Sequence, residues 1–168
     1  MSLSEASFED STALGAPESI AASRIVVLKF GGTSVASREN WEMIASLLRK
    51  RLAAGYQPVV VHSALGGVSN ALEALLDGAA SNDRGDELDA IREQHYSLAA
   101  DLGLDANELI GESFHQLEQL VAGVRLVREV SVRVRVRVMA LGELMATRLG
   151  AAFLARSGIA VRWLDARD

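Results

Sequence analysis

Lys29 is the residue whose type and position in this sequence most directly suggest chemistry. It lies one residue before the end of an apolar run at 25–30 (IVVLKF), and it is one of only two lysines in a chain of 168 residues. An ammonium in that position can act as a point charge on the β- or γ-phosphate of a nucleotide, as phosphoryl transfer requires. Alternatively, its aliphatic stem lies along apolar surface while its head pairs with a carboxylate. The residues alone leave both interpretations open.

Two pairs of glycines follow apolar runs and suit the binding of phosphate. Gly31-Gly32 comes directly after the first run, and Gly66-Gly67 lies in the loop after a second run at 58–62 (PVVVH). Glycine lets the backbone approach an oxyanion closely, and helix N-termini direct backbone N–H groups at anions. The Walker motif is absent, and G-x-G-x-x-G does not follow the first run. The sequence therefore favours another type of phosphate cradle and disfavours a dinucleotide-dependent oxidoreductase.

Glu143 is a candidate for binding a substrate. It follows Gly142 in an apolar stretch, and its helical neighbours at i+3, i+4 and i+7 are the uncharged Ala146, Thr147 and Gly150. A buried carboxylate here would hold a substrate ammonium, or it would pair with an arginine of another element. Gly142 costs roughly 1 kcal/mol relative to alanine inside a helix. A close approach of backbone or ligand would explain that glycine.

Composition excludes several classes of function. The formal net charge of −5 at pH 7 argues against nucleic acid and anionic membranes as partners. The chain has no cysteine, and its three histidines lie far apart in sequence, so no metal site is expected from them. His62, at the end of the second apolar run, is interpreted as structural. An enzyme of this composition must work with carboxylates, hydroxyls, backbone amides and very few lysines.

Neither end of the chain nor its most apolar stretch indicates a membrane segment. Residues 1–24 lack a basic start and an apolar core, so they are interpreted as a flexible leader and not as a secretion signal. Residues 138–155 are almost wholly apolar but include Glu143 and Arg148, and they barely reach the length of a bilayer span. We expect a buried helix in a soluble, cytoplasmic protein.

Hydrophobic periodicity predicts an α/β fold with a parallel sheet. The runs at 25–30 and 58–62 are predicted as strands buried on both faces, separated by a helix over 38–54. Two helices with apolar stripes are expected to pair as a hairpin at about 86–122. Further along the chain, a long helix over about 132–157 and a third parallel strand over 159–164 are predicted.

These residues together resemble the aspartate kinases of the amino-acid kinase fold. The resemblance rests on K-F-G-G-T-S at 29–34, V-V-V-H-S-A at 59–64, the loop to Ser69-Asn70, and G-E-L at 142–144. It implies a three-layer α/β/α, carbamate kinase-like architecture with a mainly parallel sheet, of which residues 25–168 would be the N-terminal portion only. The segment from 141 onward especially resembles the kinase part of bacterial bifunctional aspartate kinase/diaminopimelate decarboxylases.

The resemblance also implies a role for each matching residue. Lys29 would be catalytic and contact the ATP phosphates. The phosphate cradle would be lined by three glycines: Gly31, Gly32 and Gly67. Ser69 and Glu143 would bind aspartate. The carboxylate of Glu143 would contact the amino group of the substrate. Two positions depart from the family pattern, because His62 replaces a smaller or aliphatic residue and Ala146 replaces a frequent serine.

The implied reaction is phosphoryl transfer from ATP to the β-carboxylate of L-aspartate, giving 4-phospho-L-aspartate and ADP. ATP would carry Mg2+ with it, and the full-length enzyme would be a cytoplasmic homo-oligomer. This reaction is the first step toward lysine, threonine and methionine.

Two other interpretations stay open at this point. The family's later kinase half has no counterpart before Asp168, so the isolated chain is expected to be inactive and would on its own be a non-catalytic binding or assembly module. In the second of these interpretations, the chain belongs to a kinase of the same fold that acts on another carboxylate, such as a glutamate or carbamate kinase.

Overall fold

The structure is a computed structural model that describes residues 24–83 and 85–167. The predicted leader at 1–24 therefore lies outside the described residues except for Arg24. Within these residues, two strands and five helices follow one another: β1 (Ile25–Phe30), α1 (Arg38–Ala53), β2 (Gln57–His62), α2 (Val68–Ser81), α3 (Glu87–Asp101), α4 (Ala106–Val127) and α5 (Val132–Arg156). A single 3-10 turn over Gly32–Val35 joins β1 to α1.

The two strands form a parallel pair, as predicted. Ile25 lies opposite Gln57 and Phe30 opposite His62, so the carboxyl ends of both strands meet at one edge of the sheet. The crossover helix α1 begins at Ser37, whose hydroxyl accepts the N–H of Asn40. Both glycine-containing turns leave the sheet at this shared edge, which is where parallel sheets bind ligands.

The prediction that both faces of these strands are buried is wrong. Exposure alternates along β1 and β2, and Val27 on one face is 63% exposed. On the other face, Leu28, Phe30 and Val60 pack against the core. The described helices cover one face of a two-stranded sheet, so the opposite face remains apolar but open.

The predicted strand over 159–164 does not form either. These residues have no strand assignment, and the segment packs against α5 instead. The indole Nε1 of Trp163 donates a hydrogen bond to Thr147 Oγ1 at 3.1 Å, and the Arg148 guanidinium lies 4.6 Å from the centre of the Trp163 ring. Contacts with the helix therefore replace the backbone pairing that a strand requires.

Helices α3 and α4 pack antiparallel in the region where a helical hairpin was predicted. Tyr96 donates to Asn107 close to the connection, and Arg92 pairs with Glu118 farther from it. Phe114 lies between the two helices, with its ring centre 5.8 Å from that of Tyr96. The apolar stripes of both helices face the core.

Helix α5 crosses the core as the long helix predicted from the sequence. The Ser131 hydroxyl caps it by accepting the N–H of Val134. It ends just before Gly158, which has a φ of +78°. Length and composition would let α5 cross a membrane, and half of its most apolar window is buried inside the protein. The same pattern is typical of a core helix in a soluble protein.

Candidate active site

The two glycine-containing turns pack backbone against backbone at the edge of the sheet. A Cβ on Gly32 would lie 2.5 Å from the carbonyl oxygen of Ala64 and 3.0 Å from the nitrogen of Gly66. No side chain fits in that space, because neither partner atom can move without moving the second turn. A Cβ on Gly31 would meet nothing within 4 Å. Gly31 therefore borders open space, whereas Gly32 is a packing residue.

The N-terminus of α2 presents backbone amides that have no hydrogen-bond acceptor among the residues that the structure describes. Gly67 caps the helix with a φ of +85° and offers no side-chain acceptor. The N–H of Val68 donates to Leu65, but those of Gly67, Ser69 and Asn70 donate to no acceptor in the described part of the chain. Unpaired amides at the start of a helix attract anions. Ser69 lies in this first turn with its side chain exposed.

Lys29 lies at the same edge on the open face of the sheet. Its position in β1 is opposite Val61, and its side chain is exposed. Within residues 24–83 and 85–167, it makes no ion pair or side-chain hydrogen bond, so the structure does not show the carboxylate pairing that the second interpretation required. Its ammonium is free to meet a ligand at the carboxyl ends of the strands.

Glu143 is exposed, so the expectation of a buried carboxylate is wrong. Gly142 is the buried residue of this pair, and a Cβ there would lie 3.1 Å from Val68 Cγ1 and 3.3 Å from Ala64 Cβ. That close packing explains the glycine and brings α5 against the second turn. Glu143 pairs with no arginine among the described residues, which leaves its carboxylate open to solvent.

His62 has the structural environment that was expected of it. Its ring packs edge-on against Trp41 with the centres 5.3 Å apart, and Nδ1 donates to the carbonyl of Ser63 at 3.0 Å. Burial lowers the pKa of His62, while the Ser63 carbonyl and the negative charge of Glu143 act in the opposite direction. The effect of Glu143 places its carboxylate near the carboxyl end of β2.

The structure thus brings all six predicted residues to one edge of the sheet, with Lys29 on the face opposite to the other five. Gly31 and Gly32 belong to the first turn, Gly67 and Ser69 to the start of α2, and Glu143 to the part of α5 that packs on that turn. Lys29 reaches the same edge from the opposite face of the sheet, and no contact joins it to Glu143 in the described region.

A cleft of about 330 Å³ lies beside the first turn and not over the glycines themselves. It is lined by residues of β1, the 3-10 turn and α1: Phe30, Thr33, Ser34, Asn40, Met43, Ile44 and Leu47. Asn40 Nδ2 donates to the carbonyl of Thr33 at 2.9 Å and holds the 3-10 turn against α1.

One contact at the second turn was not predicted from the sequence. The side-chain amide of Gln94 in α3 donates to the carbonyl of Gly66 at 2.9 Å. The two residues lie 28 positions apart, and no motif links them. Only the packing of α3 beside the turn reveals the bond.

No group of three or more histidine, cysteine, aspartate or glutamate side chains in the described region is arranged to hold a metal ion. The predicted site residues at the edge of the sheet supply backbone amides, the Lys29 ammonium, the Ser69 hydroxyl and the Glu143 carboxylate. Such a set can bind an anionic group and a ligand ammonium at the same time.

The chain is similar to known proteins over most of its length. Residues 24–168 match the amino acid kinase family. Aspartokinase 3, chloroplastic, of Arabidopsis thaliana is 38% identical over 145 residues, which is 83% of this chain and 25% of that protein. Lysine-sensitive aspartokinase 3 of Escherichia coli is 31% identical over 150 residues, which is 86% of this chain and 32% of that protein.

A solved structure supports the fold. Escherichia coli aspartokinase III in complex with aspartate and ADP superposes with a TM-score of 0.74 at 31% identity, over 85% of this chain and 31% of that one. The match confirms the amino-acid kinase fold class. The chain spans about a quarter to a third of the length of these relatives.

Proposed function

Because the chain belongs to the amino acid kinase family, we propose that it forms the phosphate-binding and aspartate-binding portion of an aspartate kinase. The enzyme would transfer the γ-phosphoryl group of ATP to the β-carboxylate of L-aspartate, giving 4-phospho-L-aspartate and ADP. One observation carries the proposal: two glycine turns and the amides at the start of α2, which have no acceptor in the described part of the chain, meet at the edge of the sheet where Lys29 lies next to the end of β1.

The phosphates of ATP would bind at the two turns. The N–H groups of Gly67, Ser69 and Asn70, which have no acceptor among the described residues, supply donors without a charge of their own. Gly31 borders open space on the other turn, so a phosphate can approach its backbone closely. Lys29 adds the positive charge that these neutral donors lack. The combination of neutral backbone donors with a positively charged side chain is typical of phosphoryl-transfer sites.

The site residues fit a nucleotide that brings its own metal ion. The unpaired amides and Lys29 suit an anion, whereas the described residues hold no metal-ligand cluster. Mg2+ bound to ATP would neutralise part of the phosphate charge. Lys29 and the turn amides would then orient the γ-phosphoryl group.

L-Aspartate would bind between the start of α2 and α5. Glu143 offers the substrate's ammonium an exposed carboxylate that has no ion-pair partner in the described region, and the exposed hydroxyl of Ser69 lies in the first turn of α2. Aspartate is favoured over other carboxylates because both of the similar proteins named above are aspartokinases. A glutamate or carbamate kinase of the same fold is the competing assignment.

Catalysis would depend on charge and position and not on proton transfer. The attacking β-carboxylate, with a pKa of about 3.9, is already ionised at neutral pH. Its repulsion from a phosphate charge about 4 Å away amounts to roughly 4 kcal/mol per unit pair near a protein surface. Lys29 and the turn amides would offset that repulsion. His62 need not act as a base, and its Nδ1 is already engaged with Ser63.

In the cell, the same proposal places the enzyme at the first step toward lysine, threonine and methionine, including the diaminopimelate route. Cytoplasmic location, a homo-oligomeric full-length enzyme and fusion to a diaminopimelate decarboxylase belong to this proposal as well. The relatives' names support aspartokinase activity only.

Replacement of each lysine in turn tests the proposal. In the full-length enzyme, Lys29→Ala should lower kcat for aspartate-dependent ADP release by at least about a hundredfold, since it removes the charge that offsets phosphate repulsion. Lys50→Ala is the matched control, because Lys50 is the other lysine and lies exposed in the last turn of α1. Equal kcat values for the two variants would contradict the proposed role of Lys29.

A further inference from the structure

We propose that Gln94 is a positioning residue for the second glycine turn. Its side-chain amide holds the peptide between Gly66 and Gly67 so that the Gly67 N–H is presented to a nucleotide phosphate. The inference rests on the proposed function and adds a residue outside the motifs that led to it.

The contact itself is specific. Gln94 Nε2 donates to the carbonyl oxygen of Gly66 at 2.9 Å, and the bond is partly buried between α3 and the turn. Glu93, the preceding residue on the same helix, is exposed. Gln94 is therefore aimed at the turn, while its neighbour is not.

The geometry of the peptide unit links this bond to the phosphate site. The carbonyl of Gly66 and the N–H of Gly67 belong to the same planar trans peptide, in which they point in opposite directions. Gln94 holds the carbonyl on the α3 side, so the N–H faces away from α3. That N–H donates to no acceptor in the described part of the chain.

A peptide between two glycines has little intrinsic resistance to reorientation. Neither residue has a Cβ that restricts its dihedral angles, and Gly67 already has a φ of +85°. A Cβ on Gly67 would meet nothing within 4 Å, so packing around that position does not hold it either. An external hydrogen bond is the simplest way to fix the direction of the amide.

Helix α3 is a rigid support for that bond. His95, the next residue, is fully buried, and its Nδ1 donates to the carbonyl of Ile91 at 2.8 Å. The ring of His95 also packs edge-on against Phe114 of α4. The buried His95 next to Gln94 therefore limits the movement of this part of α3 relative to the turn.

The experiment compares Gln94→Leu with Glu93→Ala in the full-length enzyme. Leucine keeps the bulk of the side chain and removes the donor. We expect KM for MgATP to rise about fivefold, the usual worth of one such hydrogen bond, while KM for aspartate and kcat stay within twofold. Hydrogen exchange should become faster at residues 66–70 in Gln94→Leu only.

A second variant, Gln94→Glu, keeps the length of the side chain and replaces the donor by an acceptor. It should raise KM for MgATP further, because its carboxylate repels both the Gly66 carbonyl and the phosphate. Thermal unfolding of each variant shows whether it is stably folded. If Gln94→Leu is unstable, KM for MgATP of Gln94→Glu tests the positioning role instead.

The outcomes separate this inference from the proposed function. Faster exchange at 66–70 with unchanged KM for MgATP would overturn the positioning role and leave the kinase assignment intact. Equal increases in both KM values would also overturn it, since a general loss of structure does not discriminate between substrates. A wild-type enzyme that does not bind MgATP would contradict the proposed function itself.

Discussion

At the residue scale, the site depends on two opposite charges that approach one edge of the sheet from different sides. Lys29 lies on the open face of β1, whereas Glu143 lies near His62, whose side chain belongs to the covered face. Neither charge is neutralised by a described partner. Ligand groups of opposite sign would supply the missing partners.

Replacement of Glu143 should affect aspartate more than ATP. In the full-length enzyme, Glu143→Ala removes the proposed partner of the substrate's ammonium, so KM for aspartate should rise at least about tenfold. KM for MgATP should stay within twofold. Steady-state kinetics with each substrate varied in turn provide the measurement.

The control for Glu143 is Glu112→Ala, which removes an exposed glutamate from α4, away from the edge of the sheet. Its kinetics should match those of the wild type. An unchanged KM for aspartate in Glu143→Ala would refute the assignment of Glu143.

Residue types and motifs indicated which residues belong to the edge of the sheet, but not how buried they are. Glu143 was expected inside the protein because its helical neighbours are small and uncharged. The neighbours of Glu143 within α5 do not show which other elements pack against that helix. Burial depends on what packs against each side of the helix, and the structure shows Gly142 against α2 while Glu143 faces solvent.

At the element scale, the close packing of the two turns determines the shape of the phosphate cradle. Gly32 of the first turn touches the backbone of Ala64 and Gly66, and Gly142 brings α5 against the start of α2. Three separate elements therefore meet through glycines. Each close approach fixes the position of a proposed ligand-binding group.

Alanine substitutions in the first turn should have unequal effects on stability. Gly32→Ala places a Cβ 2.5 Å from the Ala64 carbonyl oxygen, so it should lower the free energy of unfolding by about 2 kcal/mol. Gly31→Ala should change it by less than about 0.5 kcal/mol, because Gly31 has a φ of −78° and open space around it. Denaturant unfolding of both variants is the test, and equal destabilisation would contradict the packing argument.

Periodicity predicted most helices and both paired strands but failed for residues 159–164. That segment (IAVRWL) is an apolar run of the kind found in strands, but a strand also needs a neighbour with free backbone groups. The segment lies along α5 instead, where Trp163 contacts Thr147 and Arg148. A single sequence does not reveal which surface such a segment will meet.

At the scale of the whole molecule, the described chain is a helical assembly with a two-stranded sheet that is open on one face. The exposed side of that sheet includes Val27, Val59 and Val61. The relatives are three to four times longer than the region they share with this chain. The proposed activity accordingly belongs to the full-length enzyme.

The isolated chain of 168 residues should bind nucleotide weakly and transfer no phosphoryl group. Its edge residues supply phosphate donors, but the family's later kinase half, with much of the adenine site, is not among them. Calorimetric titration with MgADP and a coupled assay for ADP provide the two measurements. Aspartate-dependent ADP release by the isolated chain would contradict this expectation.

The free energy of unfolding should fall as the pH is lowered from 7.5 to 5.5. Burial lowers the pKa of both His62 and His95 below the usual value of 6.5. The unfolded chain therefore binds protons that the folded chain resists, and stability decreases as the pH falls through about 6.5. Denaturant unfolding at several pH values measures the slope.

His95→Gln should make that slope shallower, because it removes one of the two buried histidines whose pKa is lowered. A wild-type protein whose stability is constant over this range would show that neither buried histidine resists protonation in the folded state.

The most direct test of the whole account is the initial rate of ADP release by the full-length enzyme with L-aspartate, L-glutamate or carbamate as the acceptor. We predict release that depends on L-aspartate, with kcat/KM at least about a hundredfold above that for L-glutamate, since an extra methylene would misplace the attacking carboxylate. No aspartate-dependent release, or equal rates with L-glutamate or carbamate, would contradict the assignment of this chain to an aspartate kinase.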